Sequence, residues 1–234
     1  VNIYYIIFIN CDFLRTNGFE IDAMLPSITM WETAGIPIEG CEFINSNDQS
    51  FQYAGGGIFT INGTYKVHKN GFNGNWCRFE GYADAVRSEG TFSVAVPPTG
   101  VGATFVDNIH AIYMDGVQNA KIAYNNIAVR ADHNYSPPAG VPFQNNGYGI
   151  YMNCSNLFAL HDNTLTNPDG TNYLSAGIVI NTNSGVSDQV YHNTIDGFLY
   201  ATQALGVNHN SGDNNYGLNY ICNDFGGITS NSWD

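Results

Sequence analysis

The chain has 234 residues, enough for one sizeable domain or a short stack of repeats around a continuous apolar interior. Its 7 Lys and Arg against 20 Asp and Glu give a formal charge of −13, which argues against nucleic acid or direct membrane insertion, since anionic surfaces reward clustered cations. With 15 Tyr and 14 Phe, the composition is not that of a disordered segment.

From the N-terminus, VNIYYIIFINCDF is apolar but broken by Asn2, Asn10 and Asp12, too short and too polar to cross a bilayer. It reads as a strand already under way. Residues 1–234 are therefore expected to form a single segment of a longer chain whose other domains are partners. A pattern then recurs: apolar, two residues, Cys or Asn, one residue, apolar. It runs Phe8/Cys11/Phe13, Ile38/Cys41/Phe43, more weakly Gly74/Cys77/Phe79, then Ile122/Asn125/Ile127, Leu160/Asn163/Leu165, Val190/Asn193/Ile195 and Tyr220/Asn223/Phe225. The key residues are 30, 36, 48, 38, 30 and 30 positions apart. The long step from Cys77 holds either a degenerate repeat or an insertion near residues 86–105, with Pro97, Pro98 and Gly100 marking a turn. Residues 131–146, ADHNYSPPAGVPFQNN, are predicted to project as a loop.

A second series precedes the Asn positions. It comprises Ala111 to Asp115 (AIYMD), Gly149 to Asn153 (GIYMN), Gly177 to Asn181 (GIVIN) and Ala204 to Asn208 (ALGVN). Period-two alternation excludes helices here. Each unit of short strands cannot bury its apolar face alone and must stack on the next. The Cys or Asn position is read as a bend that tolerates left-handed backbone, with Asn amides bonding along the stack and Cys acting as an apolar filler that needs no partner. The expected interior row is Cys11, Cys41, Cys77, Asn125, Asn163, Asn193 and Asn223.

With GIYMNCSNLFALHDNTL and GIVINTNSGVSDQVYHNTI as its best-matching units, the chain resembles the right-handed parallel β-helix proteins built of pectate-lyase-like repeats. That resemblance implies an all-β solenoid of about seven to eight coils with loop insertions, in a secreted or cell-surface, polysaccharide-rich setting. The family includes enzymes, phage tailspikes and adhesins, and fold does not choose among them. The long polar repeats also resemble modules of large proteins exported by Gram-negative bacteria, including type IX secretion cargo.

Two groups of residues stand out. Tyr113 and Tyr151 are expected to face outward on adjacent coils, with Val179 and Gly206 continuing their row and Asp115, Asn153, Asn181 and Asn208 at the strand ends. The rings suit sugar faces, or else they shield the sheet. At the bends, His161 and Tyr191 share one position and Asp162 and His192 the next. This set offers proton transfer if the chain is an enzyme, or a solvated turn if it is not. Clustered carboxylates of the pectin-hydrolase kind are missing: Asn181-Thr182-Asn183 stands where NTD is sought, and there is no GHG, RIK or Asp-Asp pair. Among Arg15, Arg78, Arg87 and Arg130, none is expected in a row with two acids; Arg130 with Asp132 and His133 comes nearest. Zinc has no suitable Cys/His spacing, and calcium would have only Asp213 in an Asn-rich loop, so no cofactor is expected. A Cys11–Cys41 disulfide is disfavoured by parallel side chains. Cys154 and Cys222 fall near bends. Asn62, Asn134 and Asn153 match the N-glycosylation pattern by composition. The expected function is a non-catalytic extracellular β-helix, adhesin-like or glycan-contacting, with a polysaccharide lyase or hydrolase and a trimeric tailspike-like module as alternatives.

Overall fold

Alternating side chains leave each segment one apolar face, which is buried only against another strand-built layer. The computed structural model describes residues 6–15, 25–46, 55–90, 94–96, 102–130, 147–168, 175–181, 188–208 and 217–226, and these are all-β with no helix among them. Their strands form three sheets of eight, eight and seven, paired in parallel throughout. Consecutive strands go to the first, second and third sheet in turn, so each strand bonds to the one three places on. Phe8–Ile9, Asp12–Arg15 and Ile28–Trp31 make the first such unit. Leu218–Ile221 and Asp224–Gly226 are the last described strands.

One core draws on all three sheets, with Ile38 of the first, Phe43 of the second and Ile58 of the third each fully buried. The second sheet stacks Phe13, Phe43, Phe79 and Phe105 on successive units, with ring centroids 4.7, 4.6 and 4.9 Å apart and planes within 9°. Ile127, Leu165, Ile195 and Phe225 continue the row. Each such side chain contributes roughly 1.5–3 kcal/mol by leaving water. The glycines opening GIYMN and GIVIN are set by close approach. A Cβ on Gly149 would lie 2.7 Å from the Gly177 carbonyl, and one on Gly177 would lie 2.6 Å from that of Ala201.

Of the stretch expected to hold an insertion near 86–105, residues 91–93 and 97–101 lie outside the described residues. The remainder is a repeat. Val94–Val96, Thr104–Asn108 and His110–Asp115 supply one strand to each sheet. Thr104 pairs with both Arg78 and Asn126, so Ala103 stands in the corner row between Cys77 and Asn125. Residues 131–146 lie outside the described residues.

At the corner between the first and second sheets, Asn125 Nδ2 donates to Asn163 Oδ1 at 2.9 Å, Asn163 to Asn193 at 2.9 Å, and Asn193 to Asn223 at 2.9 Å. Each acceptor also takes the backbone N–H of the preceding Asn, at 3.0–3.1 Å. Cysteine is not a passive filler here: Cys77 Sγ accepts the Cys41 N–H at 3.3 Å, the bond that an Asn oxygen makes elsewhere. Nor is the corner Asn the left-handed residue. Tyr124, Asp162, His192 and Cys222, each just before an Asn, carry φ of 63°, 53°, 54° and 53°. Asn10 and Gly40 hold that place before Cys11 and Cys41, at 48° and 59°. The reversal falls on the preceding residue, which leaves the Asn in ordinary backbone with its amide aimed along the stack.

Candidate functional site

Two side-chain groups merit a functional reading: the outer face of the third sheet and the corner beside the Asn row. On the third sheet, Phe59, Arg87, Tyr113, Tyr151, Val179 and Gln203 are register partners across successive strands. Gln203 and Leu205 hold the places expected for Gly206 and Asn208. In that strand Thr202 and Ala204 replace the inward Ile178 and Ile180, so the apolar match three residues on was a false register.

Tyr113 and Tyr151 do not form an open platform, being 4% and 3% exposed. They lie apart from the main core in a second cluster with Tyr148, Ala176 and Val179, with Tyr200 packed against it. Alternation sets which face a side chain takes and says nothing of what covers that face. The Tyr113 and Tyr151 rings are 5.7 Å apart and tilted by 36°. Burial raises both phenols. The nearby Asp115 carboxylate adds to the effect on Tyr113, and Tyr151 is pushed up to about 12. At the strand ends Glu89, Asp115, Asn153 and Asn181 stand in register, all half-buried. Asn153 Nδ2 donates to Asp115 Oδ1 at 2.9 Å, and Asn181 Nδ2 donates to Asn153 Oδ1 at 3.0 Å. The Tyr113 hydroxyl donates to Asp115 Oδ2 at 3.3 Å.

No Arg was expected in a row with two acids; the Arg87 row across strands holds none, but two acids reach Arg87 from its own strand. Its Nη2 is 2.6 Å from Glu89 Oε1, and its Nη1 is 3.8 Å from Asp84 Oδ2. Its guanidinium lies 5.3 Å from the Tyr113 ring centre and 5.7 Å from that of Phe59. Burial works against its charge, but the Glu89 hydrogen bond and the two carboxylates hold it above its ordinary value. Beside it, His110 Nδ1 is 2.8 Å from Asp84 Oδ1, and the ring stacks on Tyr148 at 4.1 Å. The imidazole is 1% exposed. Sequence reasoning missed Asp84 and His110, although a signal was present: Asp84, His110 and Tyr148 each fall three residues before a member of the Arg87–Tyr113–Tyr151 row.

At the corner, the structure brings His161, Asp162, Tyr191 and His192 together. His161 Nδ1 donates to Asp162 Oδ2 at 2.8 Å, and His192 Nδ1 is 3.8 Å from Asp162 Oδ1. The Tyr191 ring stacks on His161 at 4.7 Å, and Tyr124 meets it edge-on at 5.3 Å. The side chains are 6% exposed for His161, 35% for Asp162 and 58% for His192. Asp162 is thus a carboxylate between two imidazoles, one walled in by rings and one facing water. The Tyr191 phenol is raised by burial first and then by the Asp162 charge, which makes it a poorer proton donor.

Elsewhere Arg78 pairs with Glu80, and Arg130 Nη1 lies 3.2 Å from Asp107 Oδ1. Asp132, His133, Asn134, Asp213 and the Arg15 side chain lie outside the described residues. Asn62 is left-handed, with φ of 50°, and half-buried. All five cysteines are free thiols; Cys41 and Cys77 are buried, and Cys154 and Cys222 are exposed. Among the described residues, no three His, Cys, Asp or Glu are grouped to hold a metal ion. Family models, curated proteins and solved structures were all compared with the chain. None matches it.

Proposed function

We propose that the chain is a coil-by-coil segment of a right-handed parallel β-helix with pectate-lyase-like repeats, secreted or cell-surface, and that it works as a non-catalytic glycan-contacting scaffold. The observation that carries this reading is the strand-end row Glu89, Asp115, Asn153 and Asn181. It is an in-register strip of half-buried carboxylates and amides on four successive strands. Such a strip offers repeated acceptors and donors to a ligand with repeated hydroxyls, and the aromatic cluster beneath it holds the strip rigid. Tyr113 and Tyr151 then act as the bed of the strip and do not stack on sugar themselves.

The test is binding to a panel of neutral and acidic polysaccharides, with product analysis on the same samples. Retention of at least one polysaccharide, weakened about tenfold by Asn153→Ala, is the expected result. No binding across the panel would end the glycan reading. A second reading, a lyase or hydrolase working at His161, Asp162, Tyr191 and His192, is favoured by the Asp162 carboxylate placed between two imidazoles. Release of unsaturated or shortened products, lost on His192→Ala, would install that reading in place of the first.

A further inference from the structure

Charge is sorted by sheet. The chain has three lysines, Lys66, Lys69 and Lys121, and all belong to the first sheet or to the turn that leaves it. Lys66 in Tyr65–His68 and Lys121 in Lys121–Ala123 face away from the core, while Tyr65, Val67 and Ile122 face into it. The described strands of this sheet carry two carboxylates, Glu39 and Asp188. Glu39 lies 3.3 Å from His68, and Asp188 is fully buried, where it accepts the Phe158 N–H at 3.1 Å. The second sheet holds Asp12, Glu42, Glu80, Asp107, Asp196 and Asp224. Among the described residues each arginine side chain is met by an acid, Arg78 by Glu80, Arg87 by Glu89 and Arg130 by Asp107. No described acid lies within ion-pair distance of a lysine.

Ala95 pairs with both Lys66 and Lys121, so the two lysines stand in one row two strand spacings apart, roughly 9–10 Å. Pro37 and Ala159 flank them in register, and no neighbour in that row carries a charge. Past His68, residues 69–76 turn out of the sheet. Asn70 is 1% exposed and fixes this turn: its Oδ1 accepts the N–H of Phe72 at 2.8 Å and of Asn73 at 3.1 Å. Its own N–H bonds the Asn75 carbonyl at 2.9 Å, and Asn73 Nδ2 bonds Asn10 Oδ1 of an earlier unit at 3.1 Å. On this fixed turn Phe72 is 97% exposed, and the Lys69 ammonium lies 5.2 Å from the centre of the Trp76 ring.

We propose that Lys66, Lys121 and Lys69, with Phe72 and Trp76, form a binding site for sulfated polysaccharide. It shares the glycan-contacting reading but stands on a different sheet from the Glu89–Asn181 strip. A lysine with no internal acid keeps its charge for a ligand, and three of them on one face select an anion. Charges more than about 8 Å away are screened at physiological salt, so the acids of the other sheets do not cancel them. An ammonium is a compact charge with three N–H donors, which suits the outer oxygens of a sulfate ester. Planar carboxylates favour the arginine fork, and the described arginines are taken up by acids of their own. The exposed Phe72 ring offers a flat apolar face to a sugar ring. A narrow row of Lys66, Ala95, Lys121, Ala159 and Gln189 has no large apolar residue to serve as the core of a protein interface.

The full chain is run by affinity electrophoresis through native gels holding dextran sulfate, unmodified dextran or alginate. Dextran sulfate is expected to bind about tenfold more tightly than dextran and about threefold more tightly than alginate. Replacing both lysines, Lys66→Gln with Lys121→Gln, is expected to weaken dextran sulfate binding about tenfold, and Phe72→Ala about threefold. These side chains lie outside the core, so an unchanged urea midpoint reports an intact fold in each variant. Asn153→Ala is expected to leave dextran sulfate binding intact, which separates this site from the third-sheet strip. Alginate binding as tight as dextran sulfate, or dextran sulfate binding that survives the double lysine substitution, would overturn the proposal. Salt-sensitive dimers lost on the same lysine substitutions would assign the face to a second copy instead.

Discussion

The corner between the first and second sheets is built in two ways. In the early units it holds Cys11, Cys41 and Cys77; in the later ones it holds Asn125, Asn163, Asn193 and Asn223, with Ala103 at the join. Both versions accept a backbone N–H from the preceding unit, through Cys77 Sγ at 3.3 Å or through Asn193 Oδ1 at 3.1 Å. Both also donate: Cys77 Sγ reaches the Ile38 carbonyl at 3.5 Å, and the Asn amide has a second N–H to spare for the next corner. The Asn Nδ2 bonds the next amide oxygen and a first-sheet carbonyl, as Asn163 does with Asn193 and Ile122. The Cys half has a second continuity in the Phe13–Phe43–Phe79–Phe105 stack, which gives way to aliphatic Ile127, Leu165 and Ile195 before Phe225. Dispersion and polar bonding thus take turns in tying one unit to the next, and a unit weak in one is strong in the other.

Substitutions can break this exchange in order of size. Phe79→Ala, in the Cys half, removes a ring buried between two others and is expected to cost about 3–5 kcal/mol, read from the shift in urea midpoint. Asn163→Ala strands the Asn125 N–H and removes the side-chain donor to the Ile122 carbonyl and the Asn193 oxygen, and is expected to cost about 2–3 kcal/mol on the same scale. If Asn163→Ala were neutral while Phe79→Ala was severe, the amide row would be ornament. Asn163→Cys sharpens the contrast. It retains an acceptor for the Asn125 N–H and is expected to recover about 1 kcal/mol of the Asn163→Ala loss. An effect absent at neutral pH separates the outer cluster from the corner. Tyr151 titrates near 12 in the folded chain against about 10 when unfolded. Its contribution to stability is therefore complete below about pH 10 and is lost as pH rises through 12. Tyr151→Phe should flatten that alkaline loss, measured by unfolding at stepped pH, and leave the neutral-pH effect of Asn163→Ala untouched.

Much of the architecture was legible because it is periodic. The seven corner residues and the apolar residues around them recur at intervals set by parallel stacking. Ala103 escaped because a methyl group carries no polar signature, and of the apolar–Cys/Asn–apolar pattern its unit keeps only the last member, Phe105. The bend was placed one residue late because Asn is a frequent left-handed residue, while Tyr124 and Cys222 are not residues that advertise a reversal. In the candidate site, the His161–Asp162–His192 grouping followed directly from equivalent positions in neighbouring repeats. The pairing of Asp84 with His110 needed the register across the Cys77–Asn125 step, which the sequence left open between a degenerate repeat and an insertion, whereas Arg87 and Glu89 lie two apart on one strand. The burial of Tyr113 was beyond any pattern, because a strand's sequence does not record what lies against it.

The split of the bend between two adjacent residues has an evolutionary consequence. Chain reversal is assigned to one residue and interior bonding to its neighbour, so the reversing residue is released from packing demands and needs only to accept φ near 55°. Tyr, Asp, His and Cys occupy it in turn along a single line, with the scaffold beneath them unaltered. Stacked parallel strands of this design can exchange surface chemistry one rung at a time, drifting in what they display while their girders stay fixed.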